Sequence, residues 1–367
     1  MKFLDLAWQK AQMEPEISNA IASVLAGGEF INGPDVRSFE SAFAQYLAVD
    51  SCVACANGTD ALELILEATE IGIGDEVLVP AMTFVATSEA VVRAGATPVL
   101  VDVNAAAVID TDLALASLTP QTRAVVVVHL YGFPADVERL RLALDGIGRQ
   151  DVMIIEDAAQ GHGASRRGRM VGSLGAAASF SFYPGKNLGA FGDAGAVTTS
   201  DPQLAERVRR LSNHGRLGKF DHEIVGRNSR MDSVQAAVLS VKLKFLDRWV
   251  SRRQEIATTY RKELANLRWL HLPVVPDDGR HAWHQFAIKA PDRNSLRHHL
   301  SDEGIPTGIH YPQSLPEFSF HANAVGADYP QAASLAEHEL SLPIGEHLTD
   351  EEVDHVIHAL CSYSPRE

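Results

Sequence analysis

One lysine stands alone in a glycine-rich stretch. Between Arg169 and Arg207 the only cation is Lys186, in the run Tyr183-Pro-Gly-Lys-Asn-Leu-Gly-Ala-Phe-Gly-Asp-Ala-Gly. Gly185, Gly189, Gly192 and Gly195 let that backbone approach a ligand closely. A lysine among small and apolar residues is desolvated, which lowers its pKa from the free value of about 10.4. The resulting neutral amine can attack a carbonyl. Two other readings compete. One is a solvated lysine in a turn, where most lysines belong. The other, a phosphate loop of the form G-x-x-x-x-G-K-[ST], fails because it needs glycine at Phe180 and a hydroxyl residue at Asn187.

Two more groups suit carbonyl chemistry on a cofactor. Asp157 ends the apolar run Val152-Met-Ile-Ile-Glu-Asp. A carboxylate there is costly to desolvate unless a charged partner meets it; a pyridinium nitrogen or an arginine would serve. Asn57-Gly58-Thr59 follows the short apolar run Cys52-Val-Ala-Cys-Ala and opens a helical pattern. Glycine, hydroxyl and free N–H groups at a helix start make an anion site, and a simple capped turn is the alternative. An aspartate for a ring nitrogen, a lysine for a Schiff base and a cradle for phosphate are what pyridoxal phosphate chemistry requires.

The elements that must position these groups alternate along the chain. Helical patterns cover Glu14–Leu25, the stretch after Gly33-Pro34, and Ala61–Ala68. Short apolar strands at Val77–Val79, Pro98–Val103, Ala124–Leu130, Val152–Glu156 and Ala177–Tyr183 alternate with helices at Phe84–Arg93 and Ala135–Leu144. Such runs predict a mostly parallel sheet covered on both faces, with ligands bound at the carboxyl ends of its strands. Past Ser200 a helix is expected over Leu204–Asn213, then one long amphipathic helix from Met231 to about Leu264. A smaller α/β pattern follows: strand His284–Ala290, helix Ser295–Glu303, strand Thr307–Tyr311 and a terminal helix Asp350–Leu360. The expected division is a large domain of residues 1–248 and a small one of 249–367.

The bulk numbers bound the partners. With 46% hydrophobic and 22% charged residues, the 367-residue chain has the make-up of a globular protein with a real core. A formal net charge of −15 argues against nucleic acid and against anionic membrane surfaces. Neither a signal peptide nor a run of membrane-spanning length is seen, so the expected location is the cytoplasm. Cys52 and Cys55 form a C-x-x-C that could be a redox pair, although packing at a strand end is the simpler role. With only Cys361 besides, no zinc set is formed, and the His281, His284 and His298-His299 positions lack carboxylates at metal spacing.

Taken in order, the motifs resemble those of the DegT/DnrJ/EryC1/StrS family of pyridoxal-phosphate-dependent sugar aminotransferases. They are Asn57-Gly-Thr-Asp-Ala-Leu, Asp75-Glu-Val-Leu-Val-Pro-Ala-Met-Thr-Phe, Val128-His-Leu-Tyr-Gly, Glu156-Asp-Ala-Ala-Gln-Gly-His-Gly and the lysine loop. Gly226-Arg-Asn-Ser-Arg-Met-Asp-Ser-Val-Gln-Ala-Ala, His310-Tyr-Pro and Leu340-Ser-Leu-Pro complete the series, which spans nearly the whole chain.

The resemblance implies a type I aminotransferase fold, an α/β architecture with a seven-stranded, mostly parallel sheet and a smaller C-terminal α/β domain, assembled as a homodimer with shared sites. It implies that Lys186 forms the Schiff base with pyridoxal 5'-phosphate, Asp157 pairs with the ring nitrogen and Gln160 approaches the ring hydroxyl. Phe84 would lie against the cofactor face. Gly58, Thr59 and Ser181 would hold the phosphate, with Asn228 contributed by the neighbouring subunit. L-glutamate is the expected amino donor and a nucleotide-linked keto-sugar the acceptor. The segment Arg207–Arg230 is the richest local source of positive charge for a diphosphate, and Lys219 is its best substrate candidate; His310 and Tyr311 are weaker ones. Around Lys186 the sequence is similar to the branch that aminates C-3 of dTDP-linked 3-keto-6-deoxyhexoses, with Tyr183 and the following loop shaping that choice. The alternatives are amination at C-4, a free keto-cyclitol acceptor, and a regulatory relative that binds the cofactor without turnover.

Overall fold

A computed structural model describes residues 1–218, 220–324 and 328–365. Seven strands form the central sheet: β1 (Ser51–Cys55), β2 (Glu76–Pro80), β3 (Thr97–Val101), β4 (Thr122–Val128), β5 (Met153–Asp157), β6 (Ala177–Ser181) and β7 (Gly195–Thr199). Their order is β1-β7-β6-β5-β4-β2-β3. The β3-β2-β4-β5-β6 block is parallel throughout. β7 runs antiparallel to both β6 and β1.

Strand periodicity explains why both faces are covered. Val77 and Val79 of β2 and Val126 and Val128 of β4 enter one buried core. Leu78, Val125 and Val127, the residues between, enter another on the opposite face. The same alternation separates the two cysteines of C-x-x-C. Cys52 packs with Phe39, Phe43 and Phe180, whereas Cys55 packs with Leu62 and Ile65. Both are free thiols, buried and pushed well up in pKa by that burial, so packing is their role.

A third core gathers residues from Ile256 to Leu360 around a two-stranded antiparallel ribbon, β8 (Phe286–Lys289) with β9 (Glu339–Leu342). Among the described residues no helix is long and apolar enough to cross a membrane.

Two expectations are corrected here. The stretch Met231–Leu264 is two helices, Ser233–Leu243 and Leu246–Glu263. Lys244 and Phe245 donate to the carbonyls three residues back, which tightens the turn. Phe245 then stacks on Trp249 at 5.8 Å. Thr307–Tyr311 is not a strand either. It makes a single bridge, Gly308 to Ser341, before the chain turns its rings toward the site.

Candidate active site

The carboxyl ends of β1, β5 and β6 deliver Asn57-Gly58, Asp157 and Ser181 to one cavity of about 840 Å³. Lys186, Thr59, Phe84 and Gln160 line the same cavity, as do Tyr183, His310 and Tyr311. Lys219 lies outside the described residues. Asn228, expected from the neighbouring subunit, is exposed on a bridge to Asn213 and does not line this chain's own cavity. The basic segment around them is largely spent on carboxylates. Arg207 pairs with Glu70, Arg209 with Glu40, Arg210 with Glu206 and Glu223, and Arg227 with Glu63 and Glu67.

Asp157 is buried, and each of its oxygens has a donor. Thr87 Oγ1 donates to Oδ2 at 2.8 Å, and the Ala159 N–H donates to Oδ1 at 3.2 Å. Its neighbour Glu156 turns to the other face of the sheet. There it accepts the N–H groups of Gly172, Leu174 and Gly175. The Ala135 N–H donates to His129 Nδ1, so His129 Nε2 carries the hydrogen that meets Glu156 at 2.9 Å. The pair locks the end of β5 and so the direction of Asp157.

Lys186 is half-buried in the cavity floor. Burial pushes its amine down to about 8, while the Asp157 carboxylate works in the opposite direction. Its loop is pinned from three sides. The Lys186 N–H donates to the Tyr183 carbonyl at 2.8 Å, and the Ala190 N–H to Phe182 at 2.7 Å. Helix Ser233–Leu243 adds Gln235, whose Oε1 accepts the Phe191 N–H at 2.8 Å, and buried Lys242, which donates to the Gly189 carbonyl at 2.5 Å. Asn187 donates to the Ala282 carbonyl at 2.9 Å, and its oxygen accepts His284 Nδ1–H at 3.2 Å. In protein stripped of cofactor, acylation of Lys186 by an amine-selective reagent should therefore rise with pH with a midpoint near 8. Peptide mapping checks this, and a midpoint at the ordinary lysine value contradicts the buried setting.

The residues fit pyridoxal phosphate. Helix Gly58–Ala68 starts at the cavity, capped by Asn57, which accepts the Asp60 N–H. The N–H groups of Gly58 and Thr59 are in its first turn, without carbonyls four residues back in the helix, and suit a phosphate. A side chain at either of the two glycines that shape this cradle would force its neighbours to move. A Cβ on Gly58 would sit 2.6 Å from Ser181 Cβ, and one on Gly195 would sit 2.3 Å from the Asn57 carbonyl. Gly195→Ala should push the cradle aside, costing about 1–3 kcal/mol of stability and loosening cofactor retention. Denaturant midpoints and dialysis of the holoenzyme measure both; unchanged retention contradicts the cradle.

Phe84 and Tyr311 meet over the opening, ring centroids 5.5 Å apart. Gln160 uses both ends of its amide, accepting the Tyr131 N–H at 2.6 Å and donating to the Tyr311 hydroxyl at 3.1 Å. Sequence reasoning missed Thr87, Asn187, His284, Gln285 and Lys242. Asn187 sits in the lysine loop and the others in ordinary helical or strand patterns, and only the packing reveals their partners.

A parallel sheet with a buried aspartate, a depressed lysine and a phosphate cradle at its strand ends defines an aminotransferase of the pyridoxal phosphate class. The pattern of the DegT/DnrJ/EryC1/StrS aminotransferase family matches residues 11–361, and the chain belongs to that family. It is 45% identical to the erythromycin biosynthesis sensory transduction protein EryC1 of Saccharopolyspora erythraea, over 98% of each chain. It is also 45% identical to a dTDP-3-amino-3,4,6-trideoxy-α-D-glucose transaminase of Streptomyces venezuelae, over 99% of this chain and 96% of that one. The crystal structure of S. venezuelae DesV in complex with a ketimine intermediate superposes with a TM-score of 0.94 at 45% identity, covering 98% of this chain and 97% of that one. The type I aminotransferase fold is thereby established for this chain.

Proposed function

We propose that this chain moves an amino group from L-glutamate to C-3 of a dTDP-linked 3-keto-6-deoxyhexose, giving a 3-amino-3,6-dideoxyhexose nucleotide. The observation that carries this reading is Lys186 and Asp157 in one cavity of a chain that aligns end to end with a dTDP-3-amino-sugar transaminase. Bound pyridoxal phosphate would supply the electron sink for a carbanion. The chain's own groups do the rest. The N–H groups of Gly58 and Thr59 and the Ser181 hydroxyl hold the phosphate. Asp157, fixed by Thr87, holds a proton on the ring nitrogen. Gln160 would meet the ring hydroxyl and Phe84 would cover the ring, both from the cavity lining. The Lys186 amine would take a proton from the substrate carbon and return one as general acid/base. Tyr183, His310 and Tyr311 orient the sugar, so that C-3 is the carbon presented, and Lys219 meets the diphosphate.

The test is product NMR after incubation with glutamate and nucleotide keto-sugars. Nitrogen on C-3 supports the reading; nitrogen on C-4, or no product from any 3-keto sugar, sinks it. A regulatory role without turnover, suggested by the name of the S. erythraea relative, would leave the cofactor absorbance unchanged by glutamate.

The working form in this reading is a cytoplasmic homodimer in which Asn228 of each subunit reaches the other's phosphate. Asn228→Ala should then weaken cofactor retention and activity. Mixing it with Lys186→Ala creates dimers with one doubly defective site and one intact site, so activity should reappear. If two inactive parents exchange subunits and regain nothing, the shared site is wrong.

A further inference from the structure

His310 lines the cavity, and behind it a line of hydrogen bonds runs into the protein interior. His310 Nδ1 lies 2.9 Å from Ser341 Oγ. The Ser341 hydroxyl lies 2.6 Å from Glu339 Oε1, and Glu339 Oε2 accepts the His310 backbone N–H at 2.6 Å. Glu339 and Ser341 are both fully buried, on one face of β9. At the other edge of the ring, His310 Nε2 lies 3.5 Å from the Gln285 amide nitrogen at the cavity wall. The ring is seated against bare backbone: a Cβ on Gly308 would fall 2.7 Å from His310 Cε1.

The directions of these bonds are linked. When Glu339 is ionised, Ser341 must donate to it. Ser341 Oγ then accepts from His310 Nδ1–H, and Nε2 is a bare acceptor toward the cavity. When Oε1 is protonated it donates to Ser341, Ser341 donates to Nδ1, and Nε2 carries the hydrogen. The ring is neutral in both states. Going from the first to the second, Nε2 takes a proton from the cavity while Nδ1 passes its own to Ser341 Oγ. The serine hydroxyl passes its hydrogen to Oε1, so charge and atoms balance.

We propose that Glu339 and Ser341 are positioning residues which set, through His310, whether this wall of the cavity presents an acceptor or a donor, and that the three form a proton relay to a buried carboxyl group. The surroundings permit both states near neutrality. Burial pushes the Glu339 carboxyl up to about 7, against the hydroxyl of Ser341, the His310 N–H and the Arg293 guanidinium, which favour its ionised form. The Tyr131 and Tyr311 phenols near it are pushed up by burial and stay protonated. Lys289 of β8 is its cross-strand partner in the ribbon. Burial and the Lys186 charge push His310 down to about 4, and His284, which feels His310, is also pushed down. The ring therefore stays neutral while Glu339 titrates.

The proposed function enters only through what occupies the cavity, since the linkage belongs to the chain itself. It predicts a specific outcome for Glu339→Gln. The amide oxygen must face the His310 N–H, so the amide nitrogen faces Ser341 and donates, as the protonated acid does. The substitution should lock hydrogen on Nε2.

The test is nitrogen NMR of holoenzyme labelled with 15N-histidine, with His310→Gln to assign the resonances. Wild type should carry hydrogen on Nδ1 at about pH 8 and on Nε2 at about pH 6, roughly one unit either side of the carboxyl midpoint. Glu339→Gln should show the Nε2–H form at both, and Ser341→Ala should abolish the pH dependence should Glu339→Gln not fold. A wild-type ring with one tautomer throughout, or a change that persists in either variant, overturns the relay. If the tautomer changes as described but no keto-sugar is aminated, the proposed function falls and the relay stands.

Discussion

Lys186→Ala should fold, keep pyridoxal phosphate by its phosphate and ring contacts, and lose turnover by at least on the order of 10³-fold. General acid–base catalysis alone supplies about 10²–10⁴, and in the proposed reaction this lysine would also be the covalent anchor. The expectation rests on geometry. The loop is fixed through Asn187, Gly189 and Phe191, none of whose contacts involves the Lys186 side chain. Truncation therefore removes the amine and leaves its setting in place. Circular dichroism, cofactor content and single-turnover kinetics with glutamate separate the cases. Near-normal turnover with a folded chain would remove Lys186 from the chemistry.

Asp157→Asn has the second largest expected effect. A neutral amide cannot hold a positive ring nitrogen, and loss of one preorganised group aimed at developing charge costs on the order of 10²–10³-fold. The amide oxygen can still accept the Ala159 N–H while its NH2 donates to the Thr87 hydroxyl, which can turn its own hydrogen to Thr83, so the fold should persist while the cofactor spectrum shifts. Thr87→Val should show a weaker version of the same change, because Oδ2 loses its 2.8 Å donor. If Asp157→Asn turns over at the wild-type rate, Asp157 is a structural carboxylate.

How much was legible in the sequence depended on whether a residue's role is local. Asp157, Gly58 and Lys186 announce themselves through neighbours in sequence: an apolar run, a helix start, a glycine loop. Strands β2 to β5 were legible for the same reason, as buried runs rich in valine and isoleucine, and β1 and β6 as short runs of small and apolar residues. Strand β9 was not, although Leu340-Ser-Leu-Pro was recognised as a motif. Glu339 and Ser341 are polar and fully buried, and only their bonds to His310 explain that burial. Thr87 looks like any helix residue until β5 brings Asp157 within 2.8 Å. The break at Lys244-Phe245 carries neither glycine nor proline, and arises where Phe245 turns in to stack on Trp249. Arg207, Arg209 and Arg227 of the Arg207–Arg230 segment read as unspent positive charge because their carboxylate partners, Glu70, Glu40, Glu63 and Glu67, lie more than a hundred residues away in the chain.

The central claim is that the amine at the mouth of the parallel strands is the one that joins the cofactor. Borohydride reduction of the holoenzyme, followed by proteolysis and mass spectrometry, tests it most directly. The account predicts one pyridoxyl label, on Lys186 in the peptide spanning Tyr183-Pro-Gly-Lys-Asn. Label on Lys242, a second lysine whose amine burial pushes down to about 8, or on any other lysine, would contradict it.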